Sequence, residues 1–157
     1  MSVYRKNNRL SSENYSGIQV YFITITTANR RSIFIARNIV DDYLAILQRE
    51  SDACGFDVLA YCFMPDHLHL LVAGKHENSE LISFIRKYKQ LTGFAFKQKT
   101  GSPLWQKSYY DHVLRKNEDI SDSVKYILAN PVRKNIAERP RDYPYSGSLV
   151  YDDRIFD

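Results

Sequence analysis

Two β-type segments separated by only three residues place the strongest constraint on the fold of this 157-residue chain. Residues 58–63 and 67–73 are rich in strand-forming residues, and the Met-Pro-Asp sequence between them suits a tight turn. The two segments therefore predict an antiparallel hairpin. Side chains alternate between the faces of a strand, so Leu68, Leu70 and Val72 would face one side and His67 and His69 the other.

The residues before the hairpin predict one strand and one helix. Residues 18–27 are rich in Ile, Val, Tyr, Phe and Thr, a composition typical of a mostly buried strand. Apolar residues then recur at helical spacing from Asn38, which we expect to cap the helix, to Ala53. Gly55 is expected to end this helix, because glycine readily adopts the left-handed conformation common at that position.

The residues after the hairpin predict a second helix, a fourth strand and a third helix. The second helix is expected to begin at Ser79 and to end within residues 93–99, and an interrupted strand follows within residues 104–115. Asn117 is expected to cap the third helix, which Pro131 would end.

This order of elements, β-α-β-β-α-β followed by one more helix, predicts an α+β chain with a ferredoxin-like antiparallel sheet. Two crossover helices would cover one face of the sheet, and the strand at 67–73 would lie near its middle. The length suits a single domain spanning residues 1–157, with flexible tails at 1–16 and 149–157.

Charge and composition restrict the partners and the location. The net charge of +4 and a sequence pI near 9.0 favour polyanionic partners such as nucleic acid. Cys54 and Cys62 are isolated from each other, which favours a reducing, cytoplasmic location. No stretch approaches the roughly 18 apolar residues that a membrane span needs, so no membrane partner is expected.

The His-x-His pair is the first candidate for chemistry. Two imidazoles two residues apart on one strand face can bind a single divalent metal ion through their ring nitrogens. The alternative is a pair of ordinary histidines on an exposed sheet face, and the spacing alone leaves both interpretations open. A zinc protease or deaminase is disfavoured, because neither HExxH nor HxE with a later CxxC is present.

The third helix has an apolar stripe beside a more polar one that contains Tyr126 and Asn130. These two residues are i and i+4, about 6 Å apart along a helix axis, so a hydroxyl and an amide oxygen can approach one ion together. From the helix pattern alone, Tyr126 is more simply a boundary residue. Asn130 is equally a helix cap, and Pro131 alters its direction.

Four motifs, in order along the chain, resemble one family of DNA-processing enzymes. They are YCFMPDHLHLLV at 61–72, LWQKSYYDHVLR at 104–115, YILANPV at 126–132 and YPYSGS at 143–148. Together they are similar to the HUH single-tyrosine transposases, particularly the branch of repeat-associated tyrosine transposases. The likeness begins at YFITITTANRR, from residue 21, and spans nearly the whole chain.

This resemblance implies a role for each candidate residue. It assigns His67, His69 and Asn130 as ligands of Mg²⁺ or Mn²⁺, and Tyr126 as the nucleophile that forms a 5′-phosphotyrosine bond. Members of the family cleave and rejoin single-stranded DNA at or near hairpins without hydrolysing nucleotides. They occur as monomers and as homodimers that share active sites, so both states are expected alternatives for this chain.

Cationic residues provide candidates for contacts with the DNA backbone. They are Arg86, Lys87, Lys89 and Lys97 of the second helix, together with Arg115. The alternative for the second helix is an ordinary solvated face.

Two other functions compete with DNA cleavage and joining. A ferredoxin-like sheet also serves in non-catalytic modules that bind single-stranded nucleic acid through exposed aromatic residues. A metal-dependent phosphodiesterase would use activated water and would release its products without any protein-linked strand.

Overall fold

A computed structural model of the protein describes residues 15–157. The strands are β1 (Val20–Thr26), β2 (Phe56–Met64), β3 (His67–Gly74), β4 (Tyr110–Val113) and β5 (Ser146–Gly147). The α-helices are α1 (Arg37–Cys54), α2 (Leu81–Thr100), α3 (Ile120–Leu128) and α4 (Asn130–Arg133). Short 3₁₀ turns lie at Ala28–Arg30, Pro140–Asp142 and Asp153–Phe156.

The strands form one antiparallel sheet in the order β4-β1-β3-β2-β5. The first four strands have the ferredoxin-like order, so the predicted fold class is confirmed, with β3 between β1 and β2. The sequence did not predict β5, because two residues are too short to show a strand pattern.

Each face of the sheet has its own hydrophobic core. Under α1 and α2 lie Leu68, Leu70 and Val72, all fully buried as predicted. On the opposite face, Leu71 packs in a second core with apolar residues of α3, such as Ile127. The histidines of β3 lie on this second face, at the end of the strand next to the hairpin turn.

The predicted cap of α1 and the predicted first residue of α2 are wrong. Helix α1 begins at Arg37, and Ala36 occupies the cap position without a side-chain bond, so Asn38 lies inside the helix. Glu80 caps α2 through its carboxylate, whereas the Ser79 hydroxyl donates to the carbonyl of Gly55. Gly55 ends α1 as predicted, in the left-handed conformation with φ of 76°.

Later elements also differ from the prediction at their ends. Helix α2 continues through Gly93 to Thr100, and the fourth strand is shorter than predicted, preceded by a single bridge between Trp105 and Thr27. Asp119 rather than Asn117 caps α3, because its carboxylate accepts from the first turn of the helix.

The helical conformation does not end at Pro131. Helix α3 stops at Leu128, and the short α4 continues to Arg133, since a proline is tolerated in the first turn of a new helix.

The structure describes only part of the predicted N-terminal tail but all of the predicted C-terminal one. Residues 1–14 lie outside them, whereas Tyr15 is buried and Ser16 forms a bridge to Glu80. Near the other end, Ile155 and Phe156 pack against the core beneath α3. Within residues 15–157, no helix has both the length and the apolar character that crossing a membrane requires.

Candidate active site

The two histidines of β3 lie side by side on the face that α3 partly covers. Strand pairing sets His67 opposite Thr26 and Met64, and His69 opposite Thr24 and Cys62. The ring centroids are 4.6 Å apart, and the two Nε2 atoms are 3.1 Å apart. The alternation inferred from the sequence thus brings the Nε2 atoms of the two histidines close to one point.

The remaining ring nitrogens are held by neighbouring polar groups. His67 Nδ1 lies 2.7 Å from a carboxylate oxygen of Asp66, and His69 Nδ1 lies 2.8 Å from the Thr24 hydroxyl. A carboxylate only accepts, so the proton of neutral His67 sits on Nδ1 and its Nε2 carries the lone pair. Asp66 is in turn 3.6 Å from the Arg30 guanidinium.

Burial keeps both imidazoles in the neutral form that binds metal ions. Desolvation lowers the pKa of His67, although the hydrogen bond to Asp66 opposes the shift. Desolvation, followed by the charge of His67, lowers the pKa of His69 to about 3. Near neutral pH, two uncharged nitrogen donors therefore face the same point.

Asn130 completes this corner of the molecule. It is only 4% exposed, and its side-chain nitrogen lies 3.4 Å from His67 Nε2. A half-turn of the amide presents its oxygen instead, and an amide oxygen is a suitable ligand for a hard cation. The residue opens α4 rather than closing α3, where Ala129 is the C-cap.

These three side chains fit a divalent ion. Neighbouring ligands of an octahedral ion with bonds of about 2.1 Å lie about 3.0 Å from each other. The Nε2 atoms of His67 and His69, at 3.1 Å, have this separation. Within residues 15–157, no group of three or more His, Cys, Asp or Glu side chains is placed to hold a metal ion, and the Asn130 amide is the third polar side chain beside the two Nε2 atoms.

Tyr126 lies on α3 beside the histidines, with its side chain 54% exposed. Its ring meets Phe22 edge to face at 5.9 Å, and Phe22 lies 5.7 Å from the ring of His69. The Arg133 guanidinium sits 4.0 Å from the centre of the Tyr126 ring and donates to the Tyr126 carbonyl at 2.9 Å. The tyrosine is therefore held at its base and on one ring face, while about half of the residue is exposed.

Tyr126 and His69 open onto the same cavity of about 440 Å³, here called the Tyr126 cavity. Its walls come from β1, β4 and the start of α3, and include Thr24 and Tyr110. His112 also lines it, with Nε2 at 2.9 Å and 3.0 Å from the two carboxylate oxygens of Glu118.

The cationic residues predicted to contact DNA do not form one group. Arg86, Lys89 and Lys97 line a separate cavity between α2 and residues 103–109, under the other face of the sheet. Lys87 belongs to a different side of α2, towards Cys54. Arg115 is exposed just after β4, and its backbone N–H donates to Glu118.

Several residues of the site were not identified from the sequence. Thr24 and Asp66 each contact a candidate side chain, and Phe22 links the rings of His69 and Tyr126. The period-2 pattern of residues 20–26 was the available signal for Thr24, because it puts this residue on the same sheet face as Phe22.

The sheet order, the histidine pair on its central strand and the neighbouring tyrosine are the arrangement expected of a single-tyrosine transposase of the HUH class. A family model described as "Transposase IS200 like" matches residues 15–130, and the chain therefore belongs to this family. The resemblance found in the sequence is confirmed. As a member, the protein is a transposase, an enzyme that transfers DNA strands.

Relatives agree with this assignment. A REP-associated tyrosine transposase of Escherichia coli K12 is 26% identical over 126 residues, covering 80% of this chain and 74% of the relative. A Haemophilus influenzae protein that provisionally carries the same name is 25% identical over 138 residues, covering 81% and 78%.

A solved structure of a REP-associated tyrosine transposase bound to a REP hairpin is similar in fold. It superposes with a TM-score of 0.73 at 22% identity, covering 88% of this chain and 79% of the other. The agreement supports the ferredoxin-like arrangement described above.

Proposed function

We propose that this transposase cleaves and rejoins single-stranded DNA at hairpin or repeat sequences through a covalent bond to Tyr126. The observation that carries the proposal is that Tyr126 and His69 share one cavity, while His67 and His69 direct both Nε2 atoms to a single point. A nucleophile and a set of neutral metal ligands side by side suit phosphoryl transfer.

The chemistry conserves the number of phosphodiester bonds. The Tyr126 hydroxyl oxygen attacks the phosphorus, the bond from phosphorus to the 3′ oxygen breaks, and the phenol proton is lost while the 3′ oxygen gains one. Attack by a 3′ hydroxyl on the phosphotyrosine reverses these changes and joins a strand. No nucleotide hydrolysis is needed, because the bond energy is retained in the phosphotyrosine.

Removing a phenol proton at neutral pH costs about 4 kcal/mol unless positive charge lies nearby. In this site that charge would come from a bound metal ion, whereas the Arg133 guanidinium stacks on the Tyr126 ring. Because Arg133 also holds the backbone carbonyl of Tyr126, it fixes the direction from which the hydroxyl approaches the phosphate.

We propose His67, His69 and Asn130 as the ligands of Mg²⁺ or Mn²⁺. When bound, such an ion polarises the phosphate and neutralises charge that develops during attack. The three side chains bring no negative charge, so DNA phosphate oxygens would supply much of the binding energy. Nitrogen donors also favour Mn²⁺ over the harder Mg²⁺.

The DNA substrate is inferred from the relatives. The similar solved structure holds a REP hairpin, and the Escherichia coli relative carries the name of the same repeat. We therefore propose hairpin DNA with unpaired flanks as the substrate, encountered in the cytoplasm. Arg115, beside the Tyr126 cavity, is proposed to contact the strand being cut, and Arg86, Lys87, Lys89 and Lys97 to contact the DNA backbone elsewhere.

A covalent trapping experiment tests this function. Single-stranded DNA from the flanks of the gene, incubated with the protein and Mn²⁺, should yield an adduct that survives denaturing electrophoresis. Tyr126→Phe should abolish the adduct, whereas Tyr151→Phe, at an exposed tyrosine outside the Tyr126 cavity, should not.

The same experiment separates the alternative functions. If Tyr126→Phe forms as much adduct as the unmodified protein, Tyr126 is not the nucleophile. Cut products without a protein-linked strand would favour the phosphodiesterase, and DNA binding without any cleavage would favour the binding module.

A further inference from the structure

A cavity of about 670 Å³, here called the α2 cleft, lies between α2 and residues 103–109. Of residues 15–157, four cationic side chains line it and no acidic one does: Arg86, Lys89, Lys97 and Lys107. Lys89 donates to the backbone carbonyls of residues 106 and 107, whereas the other three form no ion pair within residues 15–157. This uncompensated positive charge favours a polyanion over an apolar protein segment.

The α2 cleft also offers aromatic surface. Phe94 is 67% exposed at its edge. Trp105 forms part of the wall, and its indole N–H donates to the buried Thr92 hydroxyl at 2.8 Å, which fixes the ring. Gly93 leaves space in front of that ring, since an added Cβ would lie 4.0 Å from Cδ1 of Trp105. Trp105 itself is only 9% exposed, so Phe94 is the exposed ring of the cleft. A flat exposed ring beside cations is a combination that binds unpaired nucleotides, with the base stacked and the phosphates neutralised.

The α2 cleft lies close to the Tyr126 cavity despite being on the other face of the sheet. Tyr109 lines the α2 cleft, and the next residue, Tyr110, lines the Tyr126 cavity. Only β4 therefore separates the two cavities. Layers packed on a sheet lie about 10 Å from it, so a few nucleotides of unpaired DNA suffice to pass from one cavity to the other.

We propose that the α2 cleft binds an unpaired nucleotide of the DNA flanking the cleavage site. Its base would stack on Phe94, and its phosphates would lie against Arg86 and Lys97. This inference rests on the proposed function, because it requires a DNA strand in the Tyr126 cavity. Paired bases are already stacked and do not offer their faces, so the cleft would distinguish a hairpin with an unpaired flank from a bare one.

Binding measurements in the Tyr126→Phe background test the inference without cleavage. Affinity is measured for a bare hairpin and for hairpins that carry about ten unpaired nucleotides on the 5′ or the 3′ side. Phe94→Ala should weaken binding of one extended hairpin about tenfold and leave the bare hairpin unchanged. Ile35→Ala, at another highly exposed apolar residue outside the cleft, should change neither.

Charge is tested in the same way. Lys97→Ala should weaken binding of the extended hairpin and flatten its salt dependence by about one phosphate contact. Lys99→Ala is the matched control, because Lys99 lies on the same helix outside the cleft and pairs with Asp42 at 3.8 Å.

Trp105 gives a direct optical signal, since it is the single tryptophan of the sequence. The extended hairpin should quench its fluorescence and the bare hairpin should not. Gly93→Leu should fill the space in front of the ring and remove the quenching, and leucine favours a helix more than glycine does.

Equal losses for both hairpins in Phe94→Ala, or quenching that survives Gly93→Leu, would overturn the inference. So would a change in the sedimentation mass of the free protein on Phe94→Ala, which would identify a second copy as the occupant. If an adduct forms at Tyr126 but the unpaired flank does not affect binding, the inference about the α2 cleft fails and the proposed function stands. A missing adduct would remove the proposed function, while the binding measurements would still test the cleft.

Discussion

The two faces of β3 differ in chemistry along the same eight residues. On the helix face, Leu68, Leu70 and Val72 are completely buried and contribute apolar contact. On the other face, His67 and His69 are partly exposed, each ring held by a hydrogen bond that leaves a nitrogen available. The helix face of β3 is apolar throughout, whereas the other face combines the buried Leu71 with reactive groups at the hairpin end. Substitutions should therefore separate stability from activity.

The largest effect is expected from His69→Ala. Removing one of two converging ring nitrogens should lower the rate of adduct formation by at least about 1,000-fold, because stabilisation of phosphate charge is lost. The free energy of unfolding should change by only about 1 kcal/mol, since the ring is not part of either apolar core. Single-turnover trapping and thermal unfolding measure the two quantities.

The control for this substitution is Thr24→Val, which removes the hydroxyl beside His69 Nδ1 and leaves the ring in place. It should cost far less activity than His69→Ala. A His69→Ala protein that still forms the adduct at the normal rate would contradict the metal assignment.

Leu70→Ala tests the helix face with the opposite expectation. Deleting a fully buried leucine should lower the free energy of unfolding by about 2–5 kcal/mol, through lost burial and the cavity left behind. Below its unfolding temperature the variant should still form the adduct at a rate close to that of the unmodified protein. Denaturant unfolding measures the first effect. A folded but inactive Leu70→Ala protein would show that the two faces are not separable.

The alternation of β3 could be predicted because it is local. A period of two residues assigns His67 and His69 to one face without knowledge of any partner strand. The nearness of Tyr126 to this pair depends on how α3 packs across the sheet, and only the family resemblance suggested it from the sequence.

Hydrogen-bond partners of the site were harder to predict, because they depend on strand register. Thr24 contacts His69 because β1 pairs with β3 in one particular register. A shift of that register by one residue would turn the Thr24 side chain to the opposite face of the sheet. The predicted cap of α3 was wrong for a different reason. Asn117 and Asp119 are both good cap residues two positions apart, and packing selects between them.

Asp66→Asn should have an intermediate effect on the catalytic face. The substitution removes the charge that holds the proton on His67 Nδ1, so the affinity for Mn²⁺ should fall by about 10–100-fold. Titration calorimetry or the electron paramagnetic resonance signal of Mn²⁺ measures this affinity. Asp57→Asn, on β2 and paired with Lys75 at 4.0 Å, is the matched control. Unchanged metal affinity in Asp66→Asn would show that this carboxylate does not tune the histidine.

The smallest effect is expected from Arg133→Lys, because it preserves the charge beside Tyr126 and removes only the planar contact. The guanidinium stacks 4.0 Å from the ring centre and bonds the Tyr126 carbonyl, and lysine cannot make both contacts. We expect the rate of adduct formation at saturating DNA to fall about tenfold, as loss of a cation–π contact of about 1 kcal/mol and looser positioning would cause. Arg139→Lys, whose arginine bonds Asp142 outside the cavity, should leave the rate unchanged. If Arg133→Lys instead weakened DNA binding and spared the rate, Arg133 would contact the substrate rather than orient the nucleophile.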